Sequence, residues 1–146
     1  MSTRMSRAER ESFLAGTHIG VLSVAGSGGR PPMAVPIWYG YEPGGELWAV
    51  IDAESVKGRL LQSAGRASLC AQSEKAPAYA YVSVEGPCTF GTADREQHVR
   101  PLAHRYLGEE LGDRYVEATK GAEPVLVTLK PERWFSVDYG KIGERN

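Results

Sequence analysis

Residues 33–51 of the chain read MAVPIWYGYEPGGELWAVI, two apolar β-rich runs on either side of a short polar turn. The EPGGE segment at 42–46 predicts a hairpin that returns the chain through a strand at 47–51. Pro36 lies inside the first run, and proline cannot donate a hydrogen bond to a neighbouring strand. We therefore expect Pro36 at a sheet edge, at a bulge or beside a ligand.

The segments outside this hairpin add short helices and further strands. Ser6 and Glu9 predict a capping box that opens a helix ending near Gly16, and Pro101 is expected to break or restart a helix over 92–107. Further helices are predicted at 55–64 and 109–119, and further strands at 18–24, 67–72, 79–91, 125–129 and 134–137.

The order of these elements predicts the fold class. Antiparallel hairpins dominate and no strand–helix crossover repeats, which disfavours a doubly wound nucleotide-binding fold. We expect a mainly β (α+β) protein, a six- to seven-stranded antiparallel barrel with short flanking helices, formed by one domain over 1–146.

Composition and charge exclude several classes of protein. The 146 residues carry a formal net charge of −1, which disfavours a general nucleic-acid binder. No run approaches the roughly 20 apolar residues of a membrane helix, and the charged start lacks a signal core, so we expect a cytoplasmic protein. Cys70 and Cys88 stand alone in apolar runs and are interpreted as buried thiols, and no histidine or cysteine spacing indicates a metal site.

The segment 52–66 (DAESVKGRLLQSAGR) is the strongest candidate for a binding site. It places Ser55 and Lys57 at a strand-to-helix junction, where free backbone N–H groups favour an anion. The same residues also fit a solvated helix start with a serine N-cap. The aromatic residues nearby are interpreted as barrel core and dimer packing, namely Trp38, Tyr39, Tyr41 and Trp48.

An ordered set of segments resembles the pyridoxamine 5′-phosphate oxidase-like family. The set is GVLSV, a Gly-Arg-Pro turn, AVPIWYGY, a glycine turn, LWAVIDAESVKGRLL, GRASLCAQ and YVSVEG, over 17–92, with a looser match at 125–139. The resemblance implies a split β-barrel homodimer with a flavin-type cofactor at the subunit interface. The family includes enzymes that use FMN, a large branch that uses the deazaflavin coenzyme F-420, and members that bind haem or have no known activity.

The resemblance also implies roles for particular residues. Lys57 and Ser55 would hold the cofactor phosphate, and Val56 would lend a backbone N–H. The cofactor ring would lie against apolar side chains and backbone of two strands, Val35, Pro36, Ile37, Ile51 and Asp52. Tyr79 and Tyr81 would reach the partner's cofactor, with Trp134 a weaker candidate.

Charge favours F-420 over FMN, because the long acidic tail of F-420 benefits from further basic residues. Arg59, with Arg66, Lys75 and Arg30, is the candidate extension. The segment VDYGKIGERN at 137–146 lacks the arginine- and histidine-containing end of pyridoxamine phosphate oxidases, which argues against that activity.

We therefore expect an F-420H2-dependent reductase that transfers hydride to a small conjugated, unsaturated substrate. An FMN-dependent oxidoreductase and a non-catalytic flavin- or haem-binding protein are the alternatives. No residue stands out as a nucleophile, and His104 and Tyr106 are candidates for proton transfer or ordinary surface helix residues.

Overall fold

Seven antiparallel strands form one curved sheet in the computed structural model, which describes residues 2–142. The last four residues of the segment at 137–146 therefore lie outside the described residues. The strands, in chain order, are β1 Gly20–Val24, β2 Met33–Ile37, β3 Leu47–Ile51, β4 Arg66–Ser73, β5 Ala80–Thr92, β6 Val125–Leu129 and β7 Arg133–Asp138. They pair in the order β2-β1-β4-β5-β6-β3, and β7 pairs with β5. This half-barrel confirms the predicted fold class.

Short helices flank the sheet, as the sequence predicts. They are α1 Arg7–Ala15, α2 Val56–Ala64, α3 Arg100–Leu107 and α4 Glu109–Ala118. A single turn of π-helix, Arg95–Val99, leads into α3. The predicted capping box of α1 is confirmed, because the Ser6 hydroxyl accepts from the Glu9 N–H (3.1 Å) and the Glu9 carboxylate accepts from the Ser6 N–H (2.8 Å).

The turn at 42–46 is confirmed, but the hairpin predicted around it is wrong. β2 pairs with β1 and β3 pairs with β6, so a single bridge between Gly40 and Trp48 joins the two flanking segments. The chain leaves β2 at Ile37 because Tyr39 turns into the core, where its hydroxyl donates to the Leu14 carbonyl (2.7 Å). β2 is thereby left at an edge of the sheet.

Pro36 lies on this edge strand and pairs on one side only, with Val21 of β1. An edge position needs no hydrogen bond from the missing N–H on its outer side, so the expectation of an edge is confirmed.

The long strand β5 organises the sheet. Its first half pairs with β4 on one side and β7 on the other, and its second half pairs with β6. Val82 and Val84 are fully buried, whereas Tyr81 and Ser83, which alternate with them, lie on the outer face. The inner face forms the main core with α1 and Tyr39.

Helices α3 and α4 dock on the barrel through a stack of aromatic rings. Trp38 stacks on Tyr106 of α3, with ring centroids 5.3 Å apart, and contacts Tyr115 of α4 at 5.2 Å. The Tyr106 hydroxyl donates to the His18 carbonyl (2.6 Å), which ties α3 to the start of β1. Pro101 lies in the first turn of α3, where helical hydrogen bonding restarts as predicted.

No helix within residues 2–142 has the length and apolar character needed to cross a membrane. Cys70 and Cys88 are free thiols, each partly buried. Burial raises the pKa of the Cys88 thiol to about 11, so this group is protonated and unreactive at neutral pH.

Candidate functional site

A cleft of about 900 Å³ lies between the barrel and helices α3 and α4. One wall comes from the end of β3 and the start of α2. The facing wall comes from the π-turn, α4 and the segment that leads into β6. The lining of the cleft includes Ile51, Asp52, Lys57, Arg95, Val99 and Tyr115.

The β3–α2 junction is held in shape by its own hydrogen bonds. Ser55 is the N-cap of α2, and its hydroxyl accepts from the Gly58 N–H (3.1 Å) and donates to the Asp52 carbonyl (2.6 Å). Gly58 is required here, because a Cβ at this position would lie 2.4 Å from the Asp52 carbonyl oxygen. The first turn of α2 therefore packs directly on the end of β3.

This capping arrangement bears on the role predicted for Ser55. The only hydroxyl hydrogen of Ser55 is donated to Asp52, so the side chain serves first to build the helix start. A bound phosphate would take its hydrogen bonds from the backbone N–H groups of the first turn unless this bond opened. Val56 is the first residue of that turn, and its own side chain is largely exposed.

Lys57 supplies a positive charge that favours anion binding in the cleft. It lies in the first turn of α2, is partly buried and lines the cavity. Within residues 2–142 its ammonium group has no ion pair and no hydrogen bond. An unpaired ammonium beside a helix N-terminus is a suitable site for a phosphate or a carboxylate.

The further basic residues of the sequence prediction do not gather around Lys57 within one chain. Arg59 points outward and pairs with Glu54 (3.3 Å), and Arg66 pairs with Glu132 (3.1 Å). Arg66 begins β4, whereas Lys75 lies beyond the other end of that strand. Arg30 lies in the loop between β1 and β2.

The residues predicted to lie along the cofactor ring fall into two groups. Ile51 and Asp52 line the cleft beside Lys57. Val35, Pro36 and Ile37 lie on the edge strand β2 and do not line the cleft. Ile37 and Ile51 nevertheless line one small apolar cavity inside the barrel, which connects the two strands through the core.

Tyr79 and Tyr81 lie away from the cleft, at the start of β5. Tyr81 is on the outer face of the sheet, opposite Val137 of β7, and Tyr79 is half exposed. Trp134 lies on the other face of β7, where it contacts Tyr41 and receives the Arg10 guanidinium over its ring at 4.7 Å. The structure therefore separates Trp134 from the two tyrosines.

The outer face that holds Tyr81 is apolar and uncovered. One row across it joins Val21, Cys70, Ser83 and Phe135, which are paired in turn on β1, β4, β5 and β7. Phe135 is 51% exposed, and Ile19, Tyr79 and Tyr139 add further exposed apolar surface. In the described residues the helices pack on the core side, so this face is left open.

The candidates for proton transfer are both engaged in structural contacts. The Tyr106 hydroxyl is bound to backbone of His18 and Tyr39. His104 contacts Asp113 at 2.6 Å, and this contact, with Arg100, lowers the pKa of the Asp113 carboxyl. Both contacts hold α3 and α4 in place, and neither side chain lines the cleft.

Arg95 is the site residue that the sequence analysis missed. It lies in the π-turn and lines the cleft across from the β3–α2 junction. The available signal was local: Asp94 is an N-cap residue and Pro101 interrupts helical bonding, which together favour an irregular first turn. Nothing in that pattern indicates which wall Arg95 would face.

Comparisons with known proteins agree with the architecture. The profile of the pyridoxamine 5′-phosphate oxidase family matches residues 6–138. The comparison with curated protein sequences gives no match.

Three solved structures illustrate the shared fold. A conserved hypothetical protein, Rv2991 from Mycobacterium tuberculosis, superposes with a TM-score of 0.76 at 23% identity, covering 100% of this chain and 93% of that chain. A structure described as an F420 reductase superposes with a TM-score of 0.62 at 21% identity, covering 86% of this chain and 94% of that chain. An FAD-binding protein from Mesorhizobium loti superposes with a TM-score of 0.62 at 18% identity, covering 92% of this chain and 95% of that chain. The half-barrel architecture and the match across 6–138 show that this chain belongs to the pyridoxamine 5′-phosphate oxidase family.

Proposed function

We propose that this protein is an F-420H2-dependent reductase of small conjugated, unsaturated molecules, acting as a homodimer. The observation that carries the proposal is Lys57, an ammonium group without a partner among the described residues, at the first turn of α2 and lining the cleft. The resemblance to a solved F420 reductase over most of the chain supports the choice of cofactor.

The residues of the cleft fit a planar cofactor with an anionic tail. Lys57 and the N–H groups of the first turn of α2 would hold the phosphate, and the backbone of Ile51 and Asp52 would lie along the ring. When bound, reduced F-420 would supply a hydride to the β-carbon of a conjugated carbonyl compound, with a proton from water completing the reduction. The protein would orient the two molecules and limit access of bulk water.

The uncovered outer face supports the homodimer. Val21, Cys70 and Phe135 lie in one row of a sheet face that carries several exposed apolar side chains. A second copy would cover this face and would bring Tyr79 and Tyr81 of each chain towards the other.

Cofactor titration tests the proposal directly. We expect tight F-420 binding, weakened by roughly 1.5–3 kcal/mol in Lys57→Gln because a charged hydrogen bond is lost. Lys130→Gln is the matched control, since Lys130 is exposed, lies on the turn after β6 and does not line the cleft. F-420 binding should also weaken more with salt than FMN binding, because exposed charges are screened over a Debye length of about 8 Å.

The alternative readings predict different results in the same assays. Tight FMN binding with peroxide formation and no measurable F-420 binding would replace the proposal with an FMN oxidoreductase. Binding of flavin or haem with no turnover of any conjugated substrate would indicate a carrier or sensor. Unchanged affinity in Lys57→Gln would remove Lys57 from the site.

A further inference from the structure

The π-turn that precedes α3 forms part of the cleft. Its defining bond runs from the Val99 N–H to the Asp94 carbonyl (3.3 Å), and the Asp94 carboxylate caps the turn by accepting from the Gln97 N–H (2.7 Å). Arg95 and Val99 both line the cleft. Single π-turns inside helices are costly and are frequent at functional sites.

Arg95 is held in place by backbone rather than by a carboxylate. Its guanidinium donates to the Val116 carbonyl at the end of α4 and to the Thr119 hydroxyl (3.3 Å). It forms no ion pair with any Asp or Glu of residues 2–142. These two contacts use one terminal nitrogen, so the other N–H donors of this rigid cation remain for a ligand.

The carboxylates near the cleft form no ion pair with Arg95. Glu54 is paired with Arg59, and one Asp52 oxygen accepts from the Glu54 N–H (2.9 Å). Glu123 lines the same wall as Arg95 without pairing with it. Among the described residues, the cleft therefore has a cation without an ion pair on each wall, Lys57 on α2 and Arg95 on the π-turn.

We propose that Arg95 is a second anion-binding residue of this cleft, which selects ligands that carry an acidic group on an apolar or aromatic body. The proposal deepens the proposed function and rests on it for the identity of the ligand at Lys57. The cleft also suits the apolar body, since Val50, Val99, Tyr115, Pro124 and Val125 all line it. The acidic group would belong to the tail of the cofactor or to the substrate.

A pair of fluorescent probes tests this assignment without cofactor or turnover. The probes are 8-anilinonaphthalene-1-sulfonate and its uncharged counterpart N-phenyl-1-naphthylamine, titrated into the full chain with no cofactor added. We expect Arg95→Gln to weaken binding of the sulfonate probe roughly tenfold, because a charged hydrogen bond is lost, and to leave binding of the neutral probe unchanged. Equal effects on the two probes, or no effect on either, would overturn the proposal.

Arg133→Gln is the matched control for binding elsewhere. Arg133 lies over the exposed ring of Phe135 on the outer face, 5.5 Å from its centroid, so it offers a cation beside an aromatic group outside the cleft. This variant should bind both probes as the unmodified protein does. A loss of sulfonate binding as large as that in Arg95→Gln would place the probe on the outer face and overturn the assignment.

A second pair of variants keeps the test valid if loss of Arg95 prevents folding. Thr119→Glu places a carboxylate beside the guanidinium, and Thr119→Gln is the uncharged control of similar size. We expect Thr119→Glu to abolish the preference for the sulfonate probe and Thr119→Gln to retain it. Equal preference in the two variants would contradict the proposal.

Cofactor titrations identify the source of the acidic group. If Arg95→Gln weakens F-420 binding but not FMN binding, the group is a carboxylate of the F-420 tail. If it weakens neither, while the probe result holds, the group belongs to the substrate. Equal weakening of both cofactors would identify the group as the phosphate that both cofactors carry. Failure of both cofactors to bind would reject the proposed function and leave the probe result standing.

Discussion

The carbonyl oxygen of Lys130 lies directly over Gly86, only 1.8 Å from the position that a Cβ at residue 86 would occupy. The contact arises from a bulge opposite β5. Two residues of β5, Gly86 and Pro87, face the three residues 130–132 between β6 and β7, while the N–H of Lys130 donates to the Pro87 carbonyl (3.0 Å). The bulge allows β6 and β7 to pair with β5 along nearly its whole length.

Substitution of Gly86 should therefore be severely destabilising. In Gly86→Ala the methyl group and the Lys130 carbonyl cannot occupy the same space, so the bulge must move, at a cost of about 3 kcal/mol in the free energy of unfolding. Urea denaturation measures this cost. Gly91→Ala on the same strand is the control, because a Cβ there meets nothing within 4 Å; similar losses in both variants would contradict the steric explanation.

The outer face of the sheet should be the site of self-association. Phe135→Glu places a charge in the centre of the apolar row, and because the change is present in both copies we expect the dimer Kd to rise by at least about 100-fold. Sedimentation velocity measures the change. Leu111→Glu is the matched control, since Leu111 on α4 is 53% exposed against 51% for Phe135. A stable monomer of the unmodified protein would refute the prediction.

The Tyr106 hydroxyl should stabilise the fold through its hydrogen bonds to the barrel. Tyr106→Phe removes the hydroxyl that donates to the His18 carbonyl and accepts from the Tyr39 N–H, and leaves both part-buried groups without this partner. We expect a loss of about 1–3 kcal/mol in the free energy of unfolding. Tyr115→Phe alters the same aromatic stack, but the Tyr115 hydroxyl has no bond in the described residues, so it should be nearly neutral. Equal losses would assign the effect to the rings.

The helix start at Ser6 should make stability depend on pH in acid. Hydrogen bonds from Lys141 and from Ser6 lower the pKa of the Glu9 carboxyl from 4.5 to about 2. A lowered pKa in the folded state means that the ionised carboxylate stabilises the protein above pH 4.5, and that this contribution is lost as the pH falls towards 2. The Tm difference between the unmodified protein and Glu9→Gln should therefore shrink between pH 6 and pH 2. A constant difference would show that the effect is not electrostatic.

The features that sequence alone determined are those formed by residues a few positions apart. The capping box of Ser6 and Glu9, the N-cap at Ser55 and the restart of the helix near Pro101 each depend on hydrogen bonds within one turn. The alternation of β5 depends on the period of a strand. Such features are visible in the order of residues because the groups that form them are neighbours along the chain.

Tertiary structure alone decided which strands pair and what each wall of the cleft carries. The turn at 42–46 favours a hairpin locally, yet burial of Tyr39 sends β3 to β6, some 75 residues further along the chain. Arg66 finds its partner at Glu132, and Arg95 finds Val116 and Thr119, through packing between separate elements. These contacts depend on which distant segments pack together in one core. No local pattern in the sequence indicates which segments those are.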